Sequence, residues 1–151
     1  MKLHVLTLTW NGLPLIQRLA PGLFHNLKYL DIDSQWYVRS NGCKDETVAY
    51  LESLGDKVSI LKKDHNRDNF SQGVNSLFNM AQVNAKEGDL LLLLNNDIFF
   101  RNSSSISNMV SLYNQYNPGI VGAKLNYINS TKLQHAGVIF SSKYGNMPWH
   151  Y

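Results

Sequence analysis

The run Leu90–Leu94 constrains this chain more than any other segment. Five consecutive leucines show neither the two-residue alternation of a half-exposed strand nor the spacing of an amphipathic helix. The run is far too short to span a bilayer. Its length suits a strand, and its unbroken apolarity predicts a central strand over Asp89–Leu94, buried on both faces as in a parallel sheet.

The rest of the chain supplies the alternating elements such a sheet needs. Leu3–Leu8 has strand character and stops at the turn cluster Thr9-Trp10-Asn11-Gly12. A helix is expected from Pro14, broken or kinked at Pro21-Gly22. Strands are expected at Gln35–Arg39 and Val58–Leu61, with a helix from Asp45 to Leu54 between them. Apolar residues at Phe70, Val74, Leu77, Phe78 and Ala81 mark one face of a helix ending near Gly88. A further helix is expected over Ser104–Tyr116, closed by Pro118-Gly119, then strands at Ile120–Leu125 and Val138–Phe140. This alternation implies an α/β fold, Rossmann-like, with a mostly parallel sheet and helices on both faces.

Composition agrees with one packed domain. The 151 residues are 44% hydrophobic and 17% charged, which is not a disordered profile. The net charge of +3 is mild and scattered, which favours an anionic ligand but argues against nucleic acid. The one basic cluster, Lys62, Lys63, His65 and Arg67, is interrupted by Asp64 and suits a solvated turn. Cys43 is the sole cysteine, so no intrachain disulfide can form. The start MKLHVLTLTW has no long apolar segment of the signal-peptide kind, and no stretch has transmembrane length. The expected location is cytoplasmic, compatible with a membrane-peripheral position.

In open parallel sheets, ligands bind beyond the carboxyl ends of the strands. Three polar clusters are expected there: Thr9-Trp10-Asn11, Ser40-Asn41-Gly42 and Asn95-Asn96-Asp97. Asp97 is the sharpest candidate, because a carboxylate directly after a buried strand is rigidly supported. A hard cation such as Mg2+ or Mn2+ needs carboxylate oxygen and often takes only one or two from protein, the rest from diphosphate and water. Asn95 and Asn96 can hydrogen-bond ribose, sugar or metal-bound water, although Asn-Asn-Asp equally suits a turn capping the next segment. The turn Ser40–Asp45 can grip a nucleobase, or Asp45 can simply favour a helix start. Trp10 and Phe70 can stack on a base or fill the core. His135 is a candidate metal ligand or acid–base group, or a structural histidine. The chain has no Walker phosphate loop, no Cys-x-x-Cys pattern and no dinucleotide-binding glycine fingerprint after its first strand.

Taken in order, these clusters resemble the family 2 glycosyltransferases of GT-A fold. The segments are LTLTWN, RSNGCKDET, NRDNFSQGVN and LLLLNNDIFF, the last in place of an Asp-x-Asp motif. GIVGAKL and LQHAGVIF are similar to a rhamnosyltransferase-like branch. The resemblance implies transfer of a sugar from a UDP-, dTDP- or GDP-linked donor to a saccharide, lipid or protein acceptor, with Mn2+ or Mg2+ as cofactor. It implies that Asp97 holds the metal, with His135 as a further candidate. It also implies that Thr9, Trp10, Asn11, Ser40, Asn41, Asp45, Gln72, Asn75, Asn95 and Asn96 bind the donor. Ser40 stands where the family usually has a base-binding Asp, and Asn69 replaces the usual Gly before Phe70. The family's general base and much of its acceptor site lie beyond the segments matched here, and no residue is assigned as general base. The expectation is a single donor-binding domain over residues 1–151, incomplete at its C-terminal end; the alternative is a non-catalytic nucleotide-sugar-binding module.

Overall fold

The structure, a computed structural model, describes residues 1–140, 142–145 and 148–150. It divides into two compact units, Met1–Ser103 and Ser104–Tyr151. The first unit is built on four strands: β1 Lys2–Thr9, β2 Asp33–Asn41, β3 Val58–Lys63 and β4 Leu90–Leu93. All pair in parallel, in the order β3-β2-β1-β4. Three helices connect them: α1 Leu13–Lys28, α2 Thr47–Ser53 and α3 Phe70–Gln82. No helix of the described residues is long and apolar enough to cross a membrane.

Helices cover both faces of this sheet. On one face, Trp36 is fully buried, its indole N–H donates to Thr7 Oγ1 (2.9 Å), and its ring meets Phe24 of α1 edge-on. On the other, Leu6 and Tyr37 pack with Leu77 and Ala81 of α3. The buried stripe of α3 is Gly73, Leu77 and Ala81, spaced four residues apart. Phe70 and Phe78, expected on that face, are 58% and 45% exposed. Gly73 explains the shift. A Cβ there would lie 2.9 Å from both methyls of Leu8, so the helix comes to rest with its bare backbone against β1.

The five-leucine strand is not central. It is the sheet edge, paired with β1 alone among the described residues, with Leu91 45% and Leu93 55% exposed. The doubly buried strand is β1, whose residues 3–7 are all buried. A uniform leucine run carries no periodicity that distinguishes an edge from a centre, which is why the sequence misplaced it.

Pro21 does not break α1. The proline cannot donate to the carbonyl of Gln17, but both residues lie on the exposed side of the helix, where water can satisfy that oxygen. Ile16, Leu19, Ala20 and Leu23 are buried opposite and hold the helix together. The C-terminal end of α3 comes at Gln82 rather than near Gly88, because residues 84–89 wind into turns that end with Gly88 at φ +86°.

The second unit contains α4 Ser105–Tyr116, closed by Asn117 in the left-handed conformation (φ +45°). Two short antiparallel pairs follow: β5 Leu125–Asn126 with β6 Leu133–His135, and β7 Val138–Phe140 with β8 Pro148–His150. The strand expected over Ile120–Leu125 is absent. Ile120 is 90% exposed, and only Leu125 at its end is paired.

At the amino end of the sheet, Asp89 binds three elements together. It accepts from the Lys86 N–H (2.9 Å) and the Lys2 N–H (2.7 Å), and lies 3.3 Å from His4 Nε2. The Lys86 bond contributes most, burial opposes it, and the result is a carboxyl held down to about 2. A folded-state pKa below the unfolded value gives stability that is present above about pH 4 and lost as pH falls towards 2. Asp89→Asn is therefore expected to lower the melting temperature at pH 6 and flatten its decline between pH 4 and 2; an acid limb identical to wild type would contradict this. Leu77→Ala, which empties the centre of the α3 contact, should cost about 2–5 kcal/mol in chemical denaturation. A loss below about 1 kcal/mol would show that α3 closes over the gap.

Candidate functional site

Because the four strands run parallel, the chain leaves all of them at one edge. Thr9 pairs with Ser40 in register, and Leu6 with Leu93, so the polar clusters after β1, β2 and β4 emerge side by side. The basic residues Lys62, Lys63, His65 and Arg67, at the end of β3 and just beyond it, emerge at the same edge.

Direct hydrogen bonds knit these loops. Asn96 Nδ2 donates to Thr9 Oγ1 (3.1 Å), joining the β4 loop to β1. Asn11, with φ +44°, accepts from the Lys44 N–H through Oδ1 (2.7 Å), and its own N–H points at Cys43 Sγ (3.2 Å). The Cys43 thiol faces the Thr9 carbonyl at 3.6 Å. Gly12 allows this closeness, since a Cβ there would meet Thr9 Oγ1 at 2.5 Å and Asn96 Nδ2 at 3.0 Å.

The residues expected at the site fall into two groups. Trp10, Asn11, Asn95 and Asp97 are exposed at the edge, and Asn96 is half-buried beside them. Thr9, Ser40 and Asn41 are brought to the same place but buried, at 2%, 1% and 4% exposure. Their polar atoms bond protein: Ser40 Oγ accepts from the Cys43 N–H (3.4 Å), and Asn41 Nδ2 donates to Asn66 Oδ1 (2.6 Å) and the Asp68 carbonyl (3.3 Å). In this conformation these three side chains form the scaffold under the edge rather than its outer surface.

Asp45 and Gln72 are likewise engaged. Asp45 accepts from the Leu13 N–H (3.2 Å) at the start of α1, and from the Thr47 N–H (3.2 Å) and hydroxyl (2.6 Å) at the start of α2. Burial pushes its carboxyl up, but the Thr47 and Leu13 bonds outweigh burial and leave it below the usual range. Gln72 forms a reciprocal capping box with Asn69: each side chain accepts from the other's backbone N–H at 2.9 Å. This accounts for Asn69 where a glycine was expected, because a glycine has no side chain to cap α3. Asn75 lies exposed on α3. His135 lies on β6, in the second unit.

Sequence reasoning missed Arg39 as the centre of a buried network. Its side chain is 1% exposed, paired with Asp68, and donates to Ser76 Oγ (2.6 Å), Asn41 Oδ1 (3.1 Å) and the Gln72 carbonyl (3.4 Å). The Arg39 bond is the main cause of an Asp68 carboxyl below its usual range. The available signal was a lone cation inside the strand sequence WYVRS, where a buried charge requires partners.

Among the described residues no three His, Cys, Asp or Glu side chains cluster as a self-sufficient metal site. Asp97 is a single exposed carboxylate at the end of a strand. That fits a divalent cation whose other ligands come from a bound diphosphate and water.

At Gly42 the edge is packed tightly against backbone. At φ +74°, its Cβ would stand 2.6 Å from the carbonyl carbon of His65 and 2.9 Å from the Asn66 nitrogen. Gly42→Ala should therefore cost at least about 1–3 kcal/mol in urea denaturation, combining left-handed strain with a backbone clash. Wild-type stability in this variant would show that the 65–66 backbone is not held against the β2 turn.

No protein-family profile and no curated protein sequence matches the chain. Solved structures do. S. aureus TarS, in a form spanning 1–349, aligns over 86% of this chain with TM-score 0.70 and 17% identity. The same form in complex with UDP-GlcNAc aligns with TM-score 0.64 and 14% identity. The mannosyltransferase PcManGT from Pyrobaculum calidifontis, in complex with GDP-Man and Mn2+, aligns over 74% of this chain with TM-score 0.59 and 15% identity. The chain spans 37%, 42% and 32% of those three chains respectively. At this level of identity the likeness establishes architecture, and the chain has the α/β, Rossmann-like GT-A fold of these glycosyltransferase structures.

Proposed function

We propose that the chain is the donor-binding part of a metal-dependent glycosyltransferase that takes a nucleoside-diphosphate sugar. The observation that carries this reading is the joined edge itself. The Asn96–Thr9 and Asn11–Lys44 hydrogen bonds bring three polar loops together beside an exposed carboxylate, Asp97. Support comes from the shared fold, since related structures were solved with UDP-GlcNAc and with GDP-Man and Mn2+.

In this reading the exposed Trp10 offers a stacking face to the base, with Asn11 beside it. Asn95 and Asn96 hydrogen-bond the ribose or the sugar. Asp97 supplies the hard oxygen ligand for Mn2+ or Mg2+. The metal's contribution when bound is to neutralise charge on the departing diphosphate. The basic residues at the end of β3 and just beyond it favour the same anionic group. The scaffold residues Thr9, Ser40, Asn41, Asp45 and Gln72 act by holding the exposed ones in place. The acceptor is a saccharide, lipid or protein, the proposed location is cytoplasmic or membrane-peripheral, and the rhamnosyltransferase-like branch rests on GIVGAKL and LQHAGVIF alone.

A panel of UDP, GDP, dTDP and their sugar derivatives, each with and without Mn2+ or Mg2+, tests this directly. One nucleotide is expected to raise the melting temperature by about 5–10 °C at about 100 times its Kd, with metal present. Asp97→Asn should remove the metal-dependent part of the shift and keep the metal-free part. The absence of any shift across the panel would overturn the reading. Binding without slow donor hydrolysis would assign the chain to the non-catalytic alternative.

A further inference from the structure

Residues 94–104, which carry Asp97, form no helix or strand, yet the segment is tied down on both sides of that residue. On the near side, the Leu94 N–H donates to the Leu6 carbonyl (2.9 Å) and Asn96 holds Thr9. On the far side, contacts reach α1 through Arg18, Gly22 and Asn26. Those positions are four residues apart and make a single stripe along the helix. The Arg18 guanidinium lies 4.6 Å from the centroid of the Phe99 ring. The Phe100 ring rests on the bare backbone of Gly22, where a Cβ would already be 3.4 Å from it. Asn26, 1% exposed, donates through Nδ2 to the carbonyls of Gly22 (3.0 Å) and Asn102 (2.9 Å).

We propose that this stripe of α1 is a positioning device for Asp97, with Asn26 as its key member. The proposal rests on the reading of Asp97 as the metal carboxylate. An exposed side chain on an irregular loop samples many positions, and a metal ligand displaced by about 1 Å binds poorly. The Arg18–Phe99 and Gly22–Phe100 contacts guide the segment onto the helix. Asn26 fixes it at one height, because a buried amide bond is directional and costly to leave unmade. A leucine of similar size would fill the space but donate nothing. The stripe touches neither Trp10 nor the β2 turn in any of these contacts, so its effect falls on the metal side of the edge and spares the base side.

The test compares Asn26→Leu and Arg18→Ala with wild type in the full chain, using UDP, GDP and dTDP as nucleotide probes and Mn2+ as metal. In Asn26→Leu, amide hydrogen exchange across residues 98–102 should quicken about tenfold while β1 and β2 stay protected. Metal-dependent nucleotide affinity should fall about tenfold, while metal-free affinity stays within about twofold. Arg18→Ala, at an exposed position that leaves the fold intact, should shift the same two readouts in the same direction by a smaller factor. Unchanged exchange over 98–102 in both variants would overturn the proposal, as would equal losses of metal-dependent and metal-free affinity. If wild type itself shows no metal-dependent binding, the reading of Asp97 fails, and faster exchange confined to 98–102 still decides whether the stripe clamps the segment.

Discussion

The pairing of β1 between β2 and β4 governs the rest of the first unit. It is a parallel pairing on both sides, so each strand of the four-stranded sheet delivers its carboxyl end to one edge. Side chains alternate along each strand. A slip of one residue in β1 would turn Thr7 and Thr9 to the α3 face and Leu6 and Leu8 to the α1 face. The Trp36–Thr7 hydrogen bond and the Leu8–Gly73 contact each work in one register alone. One buries a polar pair against α1, and the other lets α3 approach. The site at the edge is thus a product of register before it is a product of any loop.

Above that register, much of the polar chemistry at the edge serves to hold backbone. Arg39, Asn41, Asp45 and Gln72 each bond two or more groups from different segments. A buried arginine with an anionic partner is an expensive way to stabilise a fold, since desolvation offsets much of the attraction. Its value lies in direction: the guanidinium selects one arrangement of Asp68, Asn41 and α3. Rigid support of this kind is what a ligand site on loops requires.

The sequence was informative wherever a residue type has one physical use. The alternation of strand and helix patterns announced the fold class, and polar clusters after apolar runs marked the edge where three loops meet. It was silent where several partners compete for one group. Nothing in RSNGCKDET says that Asn41 bonds Asn66 while Asn11 bonds the Lys44 N–H, because those choices depend on distances across the sheet. Phe70 and Phe78 have the right spacing for a core face, yet the glycine between them decided which side of α3 turns inward. Local propensity makes Pro21-Gly22 a break or a kink, and the buried stripe of α1 carries the helix through without a break. The leucine run that forms β4 was misplaced for the opposite reason: leucine satisfies every strand position equally.

That leucine strand also has a bearing on how the protein behaves in a tube. Among the described residues its outer side pairs with no other strand and carries no lysine, proline or bulge to discourage one, and Leu91 and Leu93 are exposed beside it. A second chain meeting this border finds both hydrogen bonds and apolar surface. What covers that border therefore bears on solubility as well as on shape.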